Sequence, residues 1–387
     1  MSALTPAAML VLAAVFALPT AVFPQEPPPP DSAAEHSASH ADRSKKAFYT
    51  KKFDLSGLPH YRPTEQVSGT LRLWGCNYIG DSDLASWWRD AFTQYHPNIK
   101  FDFNLPTAAI AVPALYFDLA DIGMNHEPAF YDHLSHVRMK GFEPTGISVV
   151  TGSYDVGGWQ NSIVIAVHRS NPLKGITMKE LDGVFGAARD GGWVGQTWHP
   201  EFSRGSDQDI RSWGQLGLTG DWANKRINVY GYSIRYATSL EFSNKVLQAS
   251  DKWNSDLHTF ANWRRPDGSM YLQSDQILDR MKQDPNGMGI LRFRSDFPPE
   301  IKILAVANTA AGPYIDYTID TAQDRSYPLW GDQSFWISVK PGTKMAPKVR
   351  EFIRFVLSQE GQALVQRDGK YLPLTAEIAR EELKKVQ

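Results

Sequence analysis

Three histidines lie close together in this sequence, His126, His133 and His136, and neutral imidazole is a common zinc ligand. Their spacing fits no compact metal motif, and scattered exposed histidines are the commoner explanation. Asp121 upstream of His126 makes no catalytic set without a nucleophile. The single cysteine, Cys76, precedes a helical pattern, where a helix N-terminus would favour a thiolate. No histidine partner can be assigned to it from sequence. A Gly-x-Ser-x-Gly elbow, a His-Glu-x-x-His pair and a Walker-type loop are all absent, so no enzyme motif is present. The 12 tryptophans could offer flat faces to an organic or sugar ligand, although most are expected in cores.

Those residues need a scaffold, and 387 residues suffice for two lobes, each with its own core. Hydrophobic residues make up 42% and charged residues 21%, as in a soluble globular protein. The net charge of −2 lacks the basic excess of a nucleic-acid surface. Residues 7–18 form an apolar run too short to span a bilayer but suited to the core of a secretory signal. Ala17 and Ala21 offer cleavage positions, and no Lys or Arg precedes the run. The expectation is a signal peptide over 1–25 and a periplasmic protein. One cysteine permits no internal disulfide, and Cys76 is too far from the run for lipid anchoring. Residues 27–46, rich in Pro, Ser, Ala and charge, read as part of a flexible linker over 26–64.

Folded structure is expected from about Val67. Residues 69–74 alternate as a strand, and Leu84, Trp88, Ala91, Phe92 and Tyr95 recur at helical spacing, with Asp81 or Ser82 as N-cap. Residues 99–104 read as a strand, 110–119 as containing a helix with Pro113 in its first turn, and 121–124 as a short strand. Extended segments follow at 147–151 and 161–168. A helix over 177–185 opens on the capping box Thr177/Glu180. Further strands are expected at 228–233, 288–293 and 301–306, with a helix at 239–248. Towards the C-terminus, residues 327–339 read as a strand, a helical stretch ends near Val365, and Gly369-Lys-Tyr-Leu-Pro-Leu374 caps it. Alternation of this kind predicts an α/β protein with mostly parallel sheets.

Several segments, in order, resemble the phosphate-binding proteins of ABC transporters, within the type II periplasmic solute-binding fold. They are Gly75-Cys-Asn-Tyr-Ile-Gly80, His96-Pro-Asn-Ile99, Ala120-Asp-Ile-Gly123, the stretch from Asn171-Pro-Leu to Val-Phe-Gly186, Trp213-Gly-Gln-Leu-Gly217, Asp284-Pro-Asn-Gly287 and the C-terminal run. The resemblance spans residues 69–374. It implies a two-lobed α/β fold with a ligand cleft between lobes, a discontinuous first lobe (65–158 with 325–387) and a second lobe (159–324). It implies a periplasmic binder, not an enzyme, that captures phosphate or another small oxyanion for an ABC permease in the inner membrane. It would act as a monomer without cofactor, metal or nucleic acid. Alternatives are a divergent binder of an organic, sugar or metal solute, or a phosphate sensor or scavenger without a transport role.

Such proteins hold an oxyanion with helix N-termini, hydroxyls and an arginine. By resemblance the ligand-binding residues are Cys76, Asn77 and Tyr78 in the first loop and Thr107 in the second. Asn125, His126 and Glu127 form the third, and Arg235, Thr238 and Ser239 the fourth. Cys76 and Tyr78 replace the family's Ser and Thr. Leu105-Pro-Thr-Ala-Ala109 lacks the expected glycines, which would let backbone approach an anion. His126 and Glu127 stand where relatives carry Asp and Arg. Arg235 is the strongest single candidate. The drift predicts a larger, more acidic cage than a tight phosphate site. The stretch 186–205 resembles a variable loop that could touch ligand or a membrane partner.

Overall fold

The computed structural model describes residues 49–154 and 162–386. The expected signal peptide with its cleavage positions, most of the expected linker and Trp159 lie outside the described residues. From Val67 the chain forms β1 (Gly69–Gly75), α1 (Leu84–Tyr95), β2 (Ile99–Asn104), α2 (Ala111–Tyr116), β3 (Ile122–Asn125), α3 (Phe130–Lys140) and β4 (Thr145–Ser153). Next come β5 (Ile163–His168), α4 (Met178–Phe185), the hairpin β6 (Gly192–Val194) and β7 (Thr197–His199), β8 (Asn228–Tyr232) and α5 (Ala237–Val246). After β9 (His258–Phe260), α6 (Gln273–Met281), β10 (Gly287–Arg292) and β11 (Ile301–Ile303), the chain returns. It closes with β12 (Asp332–Ile337), α7 (Pro347–Val356), α8 (Gln359–Asp368), β13 (Tyr371–Leu372) and α9 (Ala376–Lys384).

Two sheets with separate cores result. The first runs in the order β13-β4-β12-β3-β1-β2 and the second β9-β8-β10-β5-β11. In the first core, Leu71 and Leu73 point inward from the alternating β1, while Leu84, Trp88 and Phe92 line one face of α1. Phe352 of α7 stacks on Phe335 of β12 and meets Phe92 edge-on. The second core centres on β5, whose residues Ile163 to Val167 are wholly buried, as a strand covered on both faces must be. The capping box on α4 forms as expected, Thr177 accepting from the Glu180 N–H at 3.1 Å.

The sheets are mixed rather than mostly parallel. β1 pairs parallel with β2 and β3, but β12 lies antiparallel between β3 and β4, and β13 is antiparallel to β4. In the second sheet β10 is parallel to β8 but antiparallel to β5. The reason is connectivity: β12 enters the first sheet on the chain's way back from the second lobe, so it runs against the strands laid down first. Order also begins before Val67. Leu55, Leu58 and Tyr61 are buried in the first core, so residues 49–64 are not linker there. The C-terminal helical stretch is two helices, broken at Leu357 and restarted by Ser358, whose hydroxyl accepts from the Gly361 N–H at 3.3 Å. Asp81 closes a short helix, Asn77–Asp81, and Asp83 is the N-cap residue of α1.

Candidate functional site

Strand β3 ends at Asn125 and delivers His126 and Glu127 into the space facing α5 of the second lobe. The cavity there has a volume of about 190 Å³. His126, Glu127, Asp332, Ser334 and Trp336 line it from the first lobe, Glu241 and Lys245 from α5, and Trp330 from the returning segment. Two lobes thus meet around a pocket built at strand and helix ends.

Its charges are interlocked. Glu241, buried on α5, accepts from the Arg292 guanidinium at 2.7 Å, and Arg292 Nε donates to Thr238 Oγ1 at 3.1 Å. Asp332 accepts from the Ser148 hydroxyl and lies 3.4 Å from Arg325. Both Lys245 and Arg325 sit over the Trp330 ring, 4.0 and 4.3 Å from its centroid. Across the lobes, Asn244 Nδ2 donates to Glu127 Oε1 at 2.7 Å.

Two residues stand out by their protonation. Burial pushes the Glu127 carboxyl up to about 7, with Glu241 adding repulsion. The Asn244 hydrogen bond and Lys245 only partly offset these effects, and Asp332 adds further repulsion. His126 goes the other way: burial, then the Arg292 charge, pull it down to about 3 against Asp332. At neutral pH His126 is a neutral imidazole, one nitrogen a donor and the other an acceptor. Both ring nitrogens are shielded from solvent and have no hydrogen-bond partner, and neither does Asn125 Oδ1. Buried polar atoms in this state are costly unless something enters to pair them.

The other expected residues sit elsewhere. Cys76 is buried in the first core, and its own N–H is spent on Met124 O at 2.8 Å. Burial drives its thiol up to about 12, which favours the protonated form. The Tyr78 N–H is directed at the Cys76 sulfur, the Asn77 amide reaches Asp81 at 3.0 Å, and the Tyr78 ring packs on the core. Thr107 is exposed and its hydroxyl accepts from the Ala109 N–H at 3.4 Å. Arg235 is exposed and does not line the cavity, while the Ser239 hydroxyl donates to Tyr232 O at 3.0 Å. Of the ten expected residues, His126 and Glu127 line the cavity, Asn125 directly precedes them, and Thr238 is tied to the site's charges through Arg292. The histidines are engaged separately: His136 bonds Phe142 O and Ser338 Oγ at 2.8 and 2.9 Å, and His133 packs edge-on against Trp336. Among the described residues, no group of three or more His, Cys, Asp or Glu is placed to hold a metal ion.

Arg292, Glu241 and Asp332 were missed. A signal existed for Arg292, the one charge closing an otherwise apolar strand, Gly287–Arg292. Glu241 and Asp332 carried none, because only folding brings α5 and β12 together.

No protein-family model matches this chain. It is 26% identical over 332 residues to the phosphate-binding protein PstS of Pseudomonas aeruginosa, in strains PAO1 and UCBPP-PA14, covering 85% of this chain and 90% of the relative. Among solved structures it is similar to an ABC-type phosphate transport receptor from Vibrio cholerae, at 14% identity and TM-score 0.49. That match covers 79% of this chain and 100% of the other. PstS from Borrelia burgdorferi matches at 12% identity and TM-score 0.49, over 80% and 100% of the two chains. The sequence resemblance to phosphate-binding proteins therefore runs through most of the chain.

Proposed function

We propose that this protein captures phosphate, or a closely related small oxyanion, in the cleft between its lobes and hands it to an ABC permease in the inner membrane, acting in the periplasm as a binder rather than an enzyme. The likeness to two curated phosphate-binding proteins over nine-tenths of their length carries this reading. The site's charge is compatible with it. Arg292, Arg325 and Lys245 face Glu241, Asp332 and Glu127, and once Glu127 is protonated the cations exceed the carboxylates by one. The arriving anion stabilises that protonated form, so binding takes up a proton and strengthens as pH falls through about 7. Lys245 supplies charge at the cavity wall, Ser334 a hydroxyl and neutral His126 one N–H, while Arg292 acts on the cavity through its ion pair with Glu241. The acceptors, Asp332 and the other His126 nitrogen, suit a ligand that keeps a proton of its own, which phosphate does and sulfate does not.

Calorimetry with phosphate and sulfate near pH 6.5, repeated in buffers of different ionisation enthalpy, tests the proposal. The expected result is saturable one-to-one phosphate binding with net proton uptake and no sulfate binding. Absence of phosphate binding up to millimolar concentration would overturn it. A second reading, a small organic solute, is favoured by Trp330 and Trp336 in the cavity wall. It would be supported by retention of such a solute through purification.

A further inference from the structure

The hairpin β6–β7 is bound rigidly to the second lobe at its base and touches the first lobe at its tip. At the base, the Trp193 N–H donates to Gln248 O at 2.8 Å. A side chain at Gly192 would lie 2.5 Å from that same carbonyl, so the strand is pressed against it. The flanking chain is locked by Arg189, which makes a two-pronged pair with Asp182 at 2.6 and 2.7 Å in a buried setting. At the tip, Gly195 has φ +55° and lies against the Glu143 carboxylate, which a side chain there would approach to 2.9 Å. The next residue, Gln196, donates its backbone N–H to Glu143 Oε1 at 2.9 Å. Beside this bond the Trp193 ring packs on Phe130 of α3, ring centroids 4.8 Å apart, and Trp198 backs Trp193 at 5.0 Å. Glu143 and Phe130 belong to the first lobe, whereas the hairpin belongs to the second.

We propose that the β6–β7 hairpin is a strap that holds the two lobes together outside the ligand pocket, with Glu143 and Phe130 as its catch. It rests on the reading that solute binds between the lobes, because a strap across them sets how fast the cleft reopens. The strap acts separately from the Asn244–Glu127 bond inside the cavity, since none of its residues lines that cavity. One exposed charge-assisted bond and one aromatic pair are each modest, so the strap biases a population rather than locking it.

The test uses the full chain with spin labels at Arg138→Cys in the first lobe and Asp221→Cys in the second, both exposed, while buried Cys76 stays unlabelled. Distance distributions without ligand are compared between the parent and Glu143→Gln/Phe130→Ala, two changes on the catch that leave the hairpin intact. Trp193→Ala serves as the independent variant on the other side of the contact. The expected result is a broader, longer distribution in both variants, with phosphate release about five- to tenfold faster. Unchanged distances and an unchanged release rate in both would overturn the strap. Altered distances in a protein whose parent binds no phosphate would uphold the strap and remove the phosphate reading instead.

Discussion

Two glutamates, the buried Glu351 and the half-buried Glu127, show how differently one side chain can be used in a single molecule. Glu351 lies on α7 with no exposed surface, and every acceptor position is filled. It accepts from Tyr61 Oη at 2.8 Å, the Thr64 N–H at 3.3 Å, the Thr64 hydroxyl and Arg354 at 2.6 Å. Burial works against its charge, but the bonds from Thr64, Tyr61 and Arg354 win and hold it below the usual carboxylate range. Tyr61 also meets His96 at 2.7 Å, so the knot fastens the N-terminal segment to the first lobe. Glu127 has one side-chain donor, Asn244, and two carboxylates facing it, Glu241 and Asp332. The satisfied acid builds structure. The under-satisfied one keeps its bonding capacity for something that arrives later, which is the pattern expected of a binding site.

The comparison can be broken most forcefully at Glu351. Glu351→Ala should lower unfolding free energy by about 3 kcal/mol in a denaturant titration, because Arg354 and Tyr61 lose their common partner. Phosphate affinity of the folded fraction should stay the same. The depressed pKa gives a sign as well: the stabilisation is present above the unfolded value and is lost as pH falls through the folded one.

Glu127→Gln should act in the opposite direction. Its folded pKa is raised, so the wild type loses stability as pH rises from the unfolded value near 4.5 to about 7. Allowing for partial solvent access, the wild type should fall by about 2 kcal/mol relative to the variant between pH 5 and 8. Parallel melting curves of the two proteins would check this, and an equal pH slope would refute the raised carboxyl.

His126→Gln should sharpen the contrast at acid pH. His126 is held neutral in the fold, so its contribution is lost as pH drops below the unfolded value near 6.5 towards its folded value near 3. Between pH 6.5 and 5.5 the wild type should lose about 1 kcal/mol that the variant does not. The slopes of His126 and Glu127 oppose one another where their windows overlap, so only the single variants make either visible. Smallest of all, Arg235→Ala should change stability by no more than about 0.5 kcal/mol, its side chain being exposed.

Much of the fold was legible because periodicity and caps are local. β1, α1 and the capping box of α4 follow from the residues that form them. Strand direction was not legible, since whether β12 runs with or against β3 depends on where the chain has travelled in between. The site divided in the same way. His126 and Glu127 could be picked out because they follow directly on a strand end. Arg235 stood out by its place in a loop that resembles the family's fourth anion loop, whereas the approach of Arg292 on β10 to Thr238 is visible only in the fold. The order of residues 49–64 was hidden too, because Tyr61 finds Glu351 only across 290 positions of chain.

The insertion of β12 between β3 and β4 also sets a timetable for synthesis. The second sheet is drawn from one continuous stretch, β5 to β11, and can be completed as soon as Ile303 has emerged. The first sheet cannot. Until Ile337 exists, the facing edges of β3 and β4 have no partner, and α7 is not yet present to cover the face that carries Phe92 and Trp88. The half of the molecule that begins first therefore finishes last. Its open strand edges must be kept from pairing with other chains for about half of the time the protein takes to be made.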